Sequence, residues 1–95
     1  MLVLPATVTL AEARDTLAML TQALGCEPDQ RVVVDASGLL RFDSSVLSVL
    51  LECRRWAQAS GRGFAVRGAT ARLAQLSRLH GVEELFEPDT VAPAP

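Results

Sequence analysis

Apolar residues follow two alternating spacings along the chain. Residues 2–10 are mostly apolar and rich in Val and Thr, which predicts a strand despite one Pro. Over Ala11 to Gly25 the apolar positions recur at helical spacing, and Gly25 ends the run. Thr9 is the expected cap of this first helix, with Glu12 as its capping-box partner.

The same alternation continues to the end of the chain. In order, the pattern predicts a turn at 26–30, a strand at 31–35 that is buried on both faces, a connection at 36–42, a helix at 44–60, a strand at 64–66, a helix from Ala69 or Thr70 to Leu79 that Gly81 ends, and an edge strand at Leu85–Phe86. The order β-α-β-α-β-α-(β) indicates an α/β domain with helices packed on a sheet. We expect one domain over residues 1–87 and a flexible Pro/Ala-rich tail at 88–95.

The second helix has two distinct faces at about 100° per residue. The residues expected to pack on the sheet are Val46, Val49, Leu50, Cys53, Trp56 and Ala57. The opposite face carries Ser44, Ser48, Glu52, Arg55 and Ala59. Leu47 and Leu51 lie between the faces, so they either widen the buried stripe or serve as apolar anchors of a protein-docking face.

Composition and charge exclude several classes of protein. The formal net charge is −2, which argues against a sequence-independent nucleic-acid binder. A hydrophobic fraction of 49% argues against a disordered chain. All nine basic residues are Arg, and the absence of Lys, Ile, Asn and Tyr indicates a high-GC, bacterial genome. No signal peptide or membrane-spanning run is predicted, so we expect a cytoplasmic protein with no direct membrane insertion.

Metal and catalytic chemistry have little support in the sequence. Cys26 and Cys53 lack CxxC spacing, and with His80 they cannot complete a zinc set, so we expect two buried, reduced thiols and no metal or cofactor. Asp43, Ser44 and His80 are the residue types of a hydrolase triad, but no Gly-x-Ser-x-Gly elbow or phosphate-binding loop is present. We therefore predict no enzymatic activity.

Two motifs in the right order carry a family resemblance. Asp35-Ala36-Ser37 ends a strand, and Asp43-Ser44-Ser45 opens the next helix. Leu79 to Phe86 is similar to a last helix end, its Gly stop and a final short strand. Together they resemble the STAS domain, the fold shared by sulfate transporters and anti-sigma factor antagonists. The resemblance implies a small mixed β-sheet with helices packed on it.

Within that family the short chain looks like the STAS subunit of the Mla-type intermembrane phospholipid transport system. The resemblance implies a non-catalytic cytoplasmic subunit, held at the inner face of the inner membrane by an ABC transporter ATPase. The implied partner-binding residues are Asp43, Ser44, Ser45, Leu47, Ser48, Leu51 and Arg55. The alternative is an anti-sigma factor antagonist that binds an anti-sigma factor kinase, with Ser44 as the phospho-acceptor.

The start of the second helix also has a simpler interpretation. Asp43 or Ser44 can cap the helix by accepting its free backbone N–H groups, and Asp43 suits the positive end of the helix dipole. Val46 stands where the family usually has Gly. We expect its branched side chain to crowd the approach to Ser44.

Overall fold

The computed structural model describes residues 2–26, 31–82 and Leu85. In order, the elements in this part of the chain are β1 (Leu2–Val3), β2 (Thr7–Val8), α1 (Leu10–Gly25), β3 (Arg31–Asp35), β4 (Arg41–Phe42), α2 (Ser45–Ala59), β5 (Gly63–Arg67) and α3 (Ala71–Leu79). Their alternation confirms the predicted α/β class. None of the described helices is long and apolar enough to cross a bilayer.

The main sheet has three strands, with β3 between β1 and β5. Both pairs are parallel, in a register that sets Val34 opposite Leu2 on one side and Val66 on the other. Val32 and Val34 are fully buried and Val33 is half-buried, so β3 is the apolar middle strand that its sequence predicts. The described strand pairs are all parallel rather than mixed. Each strand of this sheet is joined to the next by a connection that contains a helix, as parallel pairing requires.

The predicted first strand is two strands in the structure. Pro5 interrupts it, because proline has no N–H to donate to a sheet. The second piece, β2, pairs in parallel with β4 as a separate two-stranded sheet. Beside it, the carbonyl oxygen of Ala6 accepts from the N–H groups of Leu40 and Arg41 at 2.8 and 2.9 Å. The connection predicted at 36–42 therefore contains a strand.

Helix α2 buries a stripe that differs from the predicted one at its edges. Most of the residues predicted to face the core are buried: Val46, Val49, Leu50, Cys53 and Ala57. Trp56 is 56% exposed, so its predicted packing on the sheet is wrong, whereas Leu47 is 3% exposed. These two residues lie about 180° apart on opposite edges of the stripe, and spacing alone does not say which edge is covered. α2 packs against α1 and β5, and in this packing the edge with Leu47 is buried while the edge with Trp56 is exposed.

Helix α1 has polar partners at both ends. At its start, Thr9 and Glu12 form the predicted capping box, in which the Glu12 carboxylate accepts from the N–H of Thr9 at 2.9 Å. At its end, Nη1 of Arg62 donates to the carbonyl oxygen of Leu24 at 2.9 Å. An acidic group at the amino end and a cation at the carboxyl end both favour the helix dipole.

The two thiols have different environments. Cys53 is buried, as predicted, and burial raises the pKa of its thiol to about 11. Cys26 is exposed, so the expectation that both thiols are buried is wrong. Among the described residues, no three His, Cys, Asp or Glu side chains come together in a group that could hold a metal ion.

The last described residue packs on the core. Leu85 is buried, and its N–H donates to the carbonyl oxygen of Val82 at 3.1 Å, which is a turn contact. The other half of the predicted edge strand, Phe86, lies outside the described residues. So do the predicted tail at 88–95 and the turn residues 27–30.

The turn that follows β3 packs against the residue that follows β5. Oδ1 of Asp35 accepts from the N–H of Ser37 at 2.9 Å, and this bond lowers the pKa of the Asp35 carboxyl. Gly68, directly after β5, has a φ of +72°. A Cβ on Gly68 would lie 3.0 Å from Oδ1 of Asp35 and 3.0 Å from Cβ of Ser37. The Asp35-Ala36-Ser37 motif therefore forms a turn that is packed closely against Gly68.

We predict that Gly68→Ala destabilises the fold more than Gly61→Ala. Both glycines have positive φ, which is expected to lower the free energy of unfolding by about 1 kcal/mol in each variant. A Cβ on Gly61 meets nothing within 4 Å, whereas one on Gly68 meets Asp35 and Ser37, adding about 1 kcal/mol or more. Urea unfolding of the two variants measures the difference. Equal destabilisation would contradict the packed turn.

Candidate functional site

The predicted site residues at the start of α2 lie at one edge of the fold. Parallel strands end on the same side of a sheet, so the segments that follow β1 and β3 run along that side. Helix α1 begins there after β2, and α2 begins there after β4. The amino ends of the two helices are therefore brought close together beside β2 and β4.

Asp43 links the two helix starts with one carboxylate. Its Oδ2 accepts from the N–H of Leu10, the first residue of α1, at 3.1 Å. Its Oδ1 accepts from the N–H of Ser45, the first residue of α2, at 2.8 Å. The bond from Ser45, followed by that from Leu10, lowers the pKa of the Asp43 carboxyl. The carboxylate is thus charged and already occupied by backbone donors of both helices.

Glu12 is occupied in a similar way. Its carboxylate accepts from the hydroxyl and the backbone N–H of Thr9, and these bonds lower the pKa of Glu12. The charge of Asp43 acts in the opposite direction on Glu12, as expected for two carboxylates at one helix start. Backbone and hydroxyl donors therefore engage both acidic groups at the start of α1.

Ser44 lies beside this carboxylate but does not cap α2. It is the residue before the helix, its φ and ψ are already helical, and its side chain makes no capping hydrogen bond. The residue is exposed, while its carbonyl oxygen accepts from the N–H of Leu47 at 3.0 Å. Capping is done by Asp43, so the Ser44 hydroxyl faces the surface as a small polar group. Val46 is fully buried, so the expectation that it crowds the approach to Ser44 is wrong.

The remaining predicted residues separate into accessible and inaccessible ones. Ser45 is half-buried and Ser48, one turn further along α2, is exposed. Leu47 is part of the core, so in this structure it widens the buried stripe and is not available as a docking anchor. Leu51 is half-buried against that core. The structure brings Asp43, Ser44, Ser45 and Ser48 together, since they are close in sequence on one helix start.

Arg55 lies away from this group. It follows Ser44 by eleven residues, or about 16 Å along a helix. Its Nη1 is 2.8 Å from Oε1 of Glu52, one turn earlier on α2. An open groove at the far end of α2 is lined by Glu52, Arg55, Trp56 and Ala59.

Three exposed leucines around the helix starts were missed by the sequence reasoning. Leu10, Leu40 and Leu79 are 77%, 71% and 78% exposed. The N–H of Leu10 bonds to Asp43, Leu79 lines a groove together with Asp43, and Leu40 lines the neighbouring groove. Leu79 continues the apolar spacing of α3, so the sequence assigns it to the buried face. Only the packing of the elements places the Leu79 side chain in one groove with Asp43 and the Leu40 side chain in the neighbouring groove.

Comparison with models of known protein families gives a match over most of the chain. A family model described as "Mlab, STAS domain" matches residues 1–87. A search of curated proteins finds no match to the chain.

We predict that Asp43→Asn destabilises the fold in a pH-dependent manner. Because the folded-state pKa of Asp43 is lowered, its ionised form stabilises the fold fully above the ordinary value of 3.8. That stabilisation is lost as the pH falls from there through the lower folded-state pKa. The difference in free energy of unfolding between wild type and Asp43→Asn should therefore be largest near neutral pH and shrink below about pH 4.

Denaturant unfolding at a series of pH values measures this difference. Asp35 titrates in both proteins, so its contribution cancels in the difference, whereas the pKa of Glu12 should fall further in Asp43→Asn because the repulsion from Asp43 is lost. Asp15→Asn, which removes a charge from an exposed position on α1, is the matched control. A pH-independent difference for Asp43→Asn would rule out the ionised carboxylate as the link between the helices.

Proposed function

The chain belongs to the STAS domain family, and from this premise we propose that it is a non-catalytic subunit that binds and supports the ATPase of a bacterial phospholipid ABC transporter. STAS domains are generally non-enzymatic binding and regulatory domains. The name Mlab in the description of the matching family model supports the transporter assignment. In this proposal the subunit lies in the cytoplasm, held by its partner at the inner face of the inner membrane.

One observation carries the proposal: Ser44 is exposed without a capping role, beside a carboxylate that fixes two helices. A residue that only capped α2 would point its hydroxyl at backbone N–H groups. Here Asp43 performs that task, which leaves Ser44 available for a partner. The rigid support and the small side chain favour close approach of another protein.

The surrounding leucines supply the apolar contribution. Leu10, Leu40 and Leu79 expose most of their side chains to solvent. Burying one such side chain in an interface is worth about 2 kcal/mol before the losses on association are counted. A partner that covers Ser44 and even two of these leucines therefore gains a usable binding energy. The proposed docking surface consists of Asp43, Ser44, Ser48 and the three leucines.

A second candidate function is an anti-sigma factor antagonist. The observation that favours it is the same exposed, uncapped Ser44 hydroxyl, which a kinase can reach. Buried Val46 leaves the approach open. In this case the bound partner is an anti-sigma factor kinase, and phosphorylation of Ser44 ends the binding. The two candidates differ in the partner and in the modification of Ser44 in cells.

We predict that Ser44→Arg abolishes binding to the partner and leaves the fold intact. The arginine side chain would fill the centre of the docking surface. It should change the free energy of unfolding by about 0.5 kcal/mol or less, since an exposed hydroxyl without a capping bond is replaced. Affinity capture from cell extract with mass spectrometry identifies the partner, and thermal unfolding checks the fold.

Two variants serve as controls for this experiment. Ser44→Thr keeps a hydroxyl of similar size and should retain binding, whereas Ser60→Arg puts the same large cation at the other, exposed end of α2 and should also bind. Capture of an ABC ATPase with unmodified Ser44 supports the transporter subunit. Capture of an anti-sigma factor kinase with partly phosphorylated Ser44 supports the antagonist instead. Full binding by Ser44→Arg would place the interface elsewhere.

A further inference from the structure

Two open grooves flank the docking surface and share one wall. The α3 groove is lined by Phe42, Asp43, Arg72, Gln75, Leu76 and Leu79. The β4 groove is lined by Thr7, Thr9, Glu12, Leu40, Arg41, Phe42 and Arg72. Phe42 and Arg72 line both and therefore separate them. Each groove also contains one highly exposed leucine, Leu79 in the first and Leu40 in the second.

Arg72 is positioned by the aromatic ring beneath it. Its guanidinium carbon lies 5.1 Å from the centroid of the Phe42 ring, within the range of a cation–π contact. This contact restrains the cation without using its five N–H donors. Within residues 2–26, 31–82 and Leu85, no carboxylate is close enough to Arg72 for an ion pair.

The carboxylates of the grooves bind other donors and form no ion pair with Arg72 among the described residues. Asp43 accepts from the N–H groups of Leu10 and Ser45, and Glu12 accepts from Thr9. Both acidic groups are therefore held by hydrogen bonds at helix amino ends and not by an arginine. Arg72 and Arg41 form no ion pair in the part of the chain that the structure describes, so the N–H donors of their guanidinium groups are available to another molecule.

We propose that Arg72 receives a carboxylate of the partner ATPase, with apolar partner side chains entering the two grooves on either side. This inference rests on the proposed function, which supplies the ATPase as the occupant. A planar guanidinium can bind a carboxylate through two parallel hydrogen bonds, and such charged anchors inside apolar surroundings are common binding hot spots. The complementary partner surface thus carries an Asp or Glu between two apolar residues.

An anionic membrane is the other class of surface that exposed Arg and Leu side chains can contact. Lipid-binding segments typically collect about four to eight basic residues. The two grooves contribute Arg41 and Arg72, and they also hold two ionised carboxylates. A concave surface with this mixture of charges favours a protein partner.

The test measures binding of the full chain to the purified ATPase that wild type captures. We expect Arg72→Glu to weaken binding about 30-fold or more, because the new glutamate would repel the carboxylate of the ATPase. Arg72→Gln should weaken it less and reduce its dependence on salt, and Arg72→Lys should fall between Arg72→Gln and wild type. Arg78→Glu makes the same charge change on another face of α3 and should stay within about threefold of wild type.

The Arg72→Glu variant is expected to fold, since position 72 lies in the first turn of α3, where a negative charge is favourable. Thermal unfolding verifies this, and Arg72→Gln provides a second variant. Wild-type-like binding by Arg72→Glu, with binding lost in Ser44→Arg, overturns the role of Arg72 and leaves the proposed function standing. Failure of wild type to bind any ATPase overturns the proposed function itself. Arg72-dependent binding to phosphatidylglycerol vesicles instead of the ATPase also overturns the inference.

Discussion

Parallel strand pairing is the constraint on which the rest of this structure depends. Adjacent parallel strands cannot be joined by a hairpin, so the chain must cross over between β1 and β3 and again between β3 and β5. Each crossover contains a helix, α1 in the first and α2 in the second. Both helices therefore begin at the same edge of the sheet. Two positive helix ends close to each other would repel unless something lies between them.

The Asp43 carboxylate is the group that lies between them. One oxygen accepts from each helix, so a single negative charge compensates two amino ends. At the far end of α1, Arg62 from the segment after α2 binds the carbonyl oxygen of Leu24. The segments that flank α2 thus hold α1 at both ends with charges that suit its dipole. The packing of the two helices is fixed by electrostatics at the ends and by apolar contacts between them.

Much of this fold could be predicted from the sequence because its signals are local. The three valines of β3 and the Thr9–Glu12 capping box depend on neighbours within a few residues, and the structure confirms both. The exposure of Trp56 could not be predicted, since it depends on which edge of α2 is covered by other elements. Strand β4 was missed for a similar reason: a two-residue strand is defined by its partner, β2.

In the candidate site, too, the sequence predicts local features but not those that depend on tertiary packing. Asp43 and Ser44 could be singled out from the motif, but their separate roles follow from geometry, because only the structure shows that Asp43 takes the capping bonds. The sequence contains the three exposed leucines at element ends or in a connection, and no local signal distinguishes them from core residues. Docking surfaces formed by distant segments depend on the tertiary arrangement, which periodicity does not describe.

The occupied amino end of α2 also determines how a modification of Ser44 would act. A phosphate brings a charge of about −1.5 to −2 and usually gains stability at a helix start from free N–H groups. Here the N–H groups of Ser45 and Leu10 are already bonded to Asp43. A phosphate on Ser44 would therefore lie beside the Asp43 carboxylate and find these N–H donors already bonded. Its main effect would be repulsion between the two negative groups. This arrangement suits recognition of an uncharged Ser44 under either of the two proposed functions.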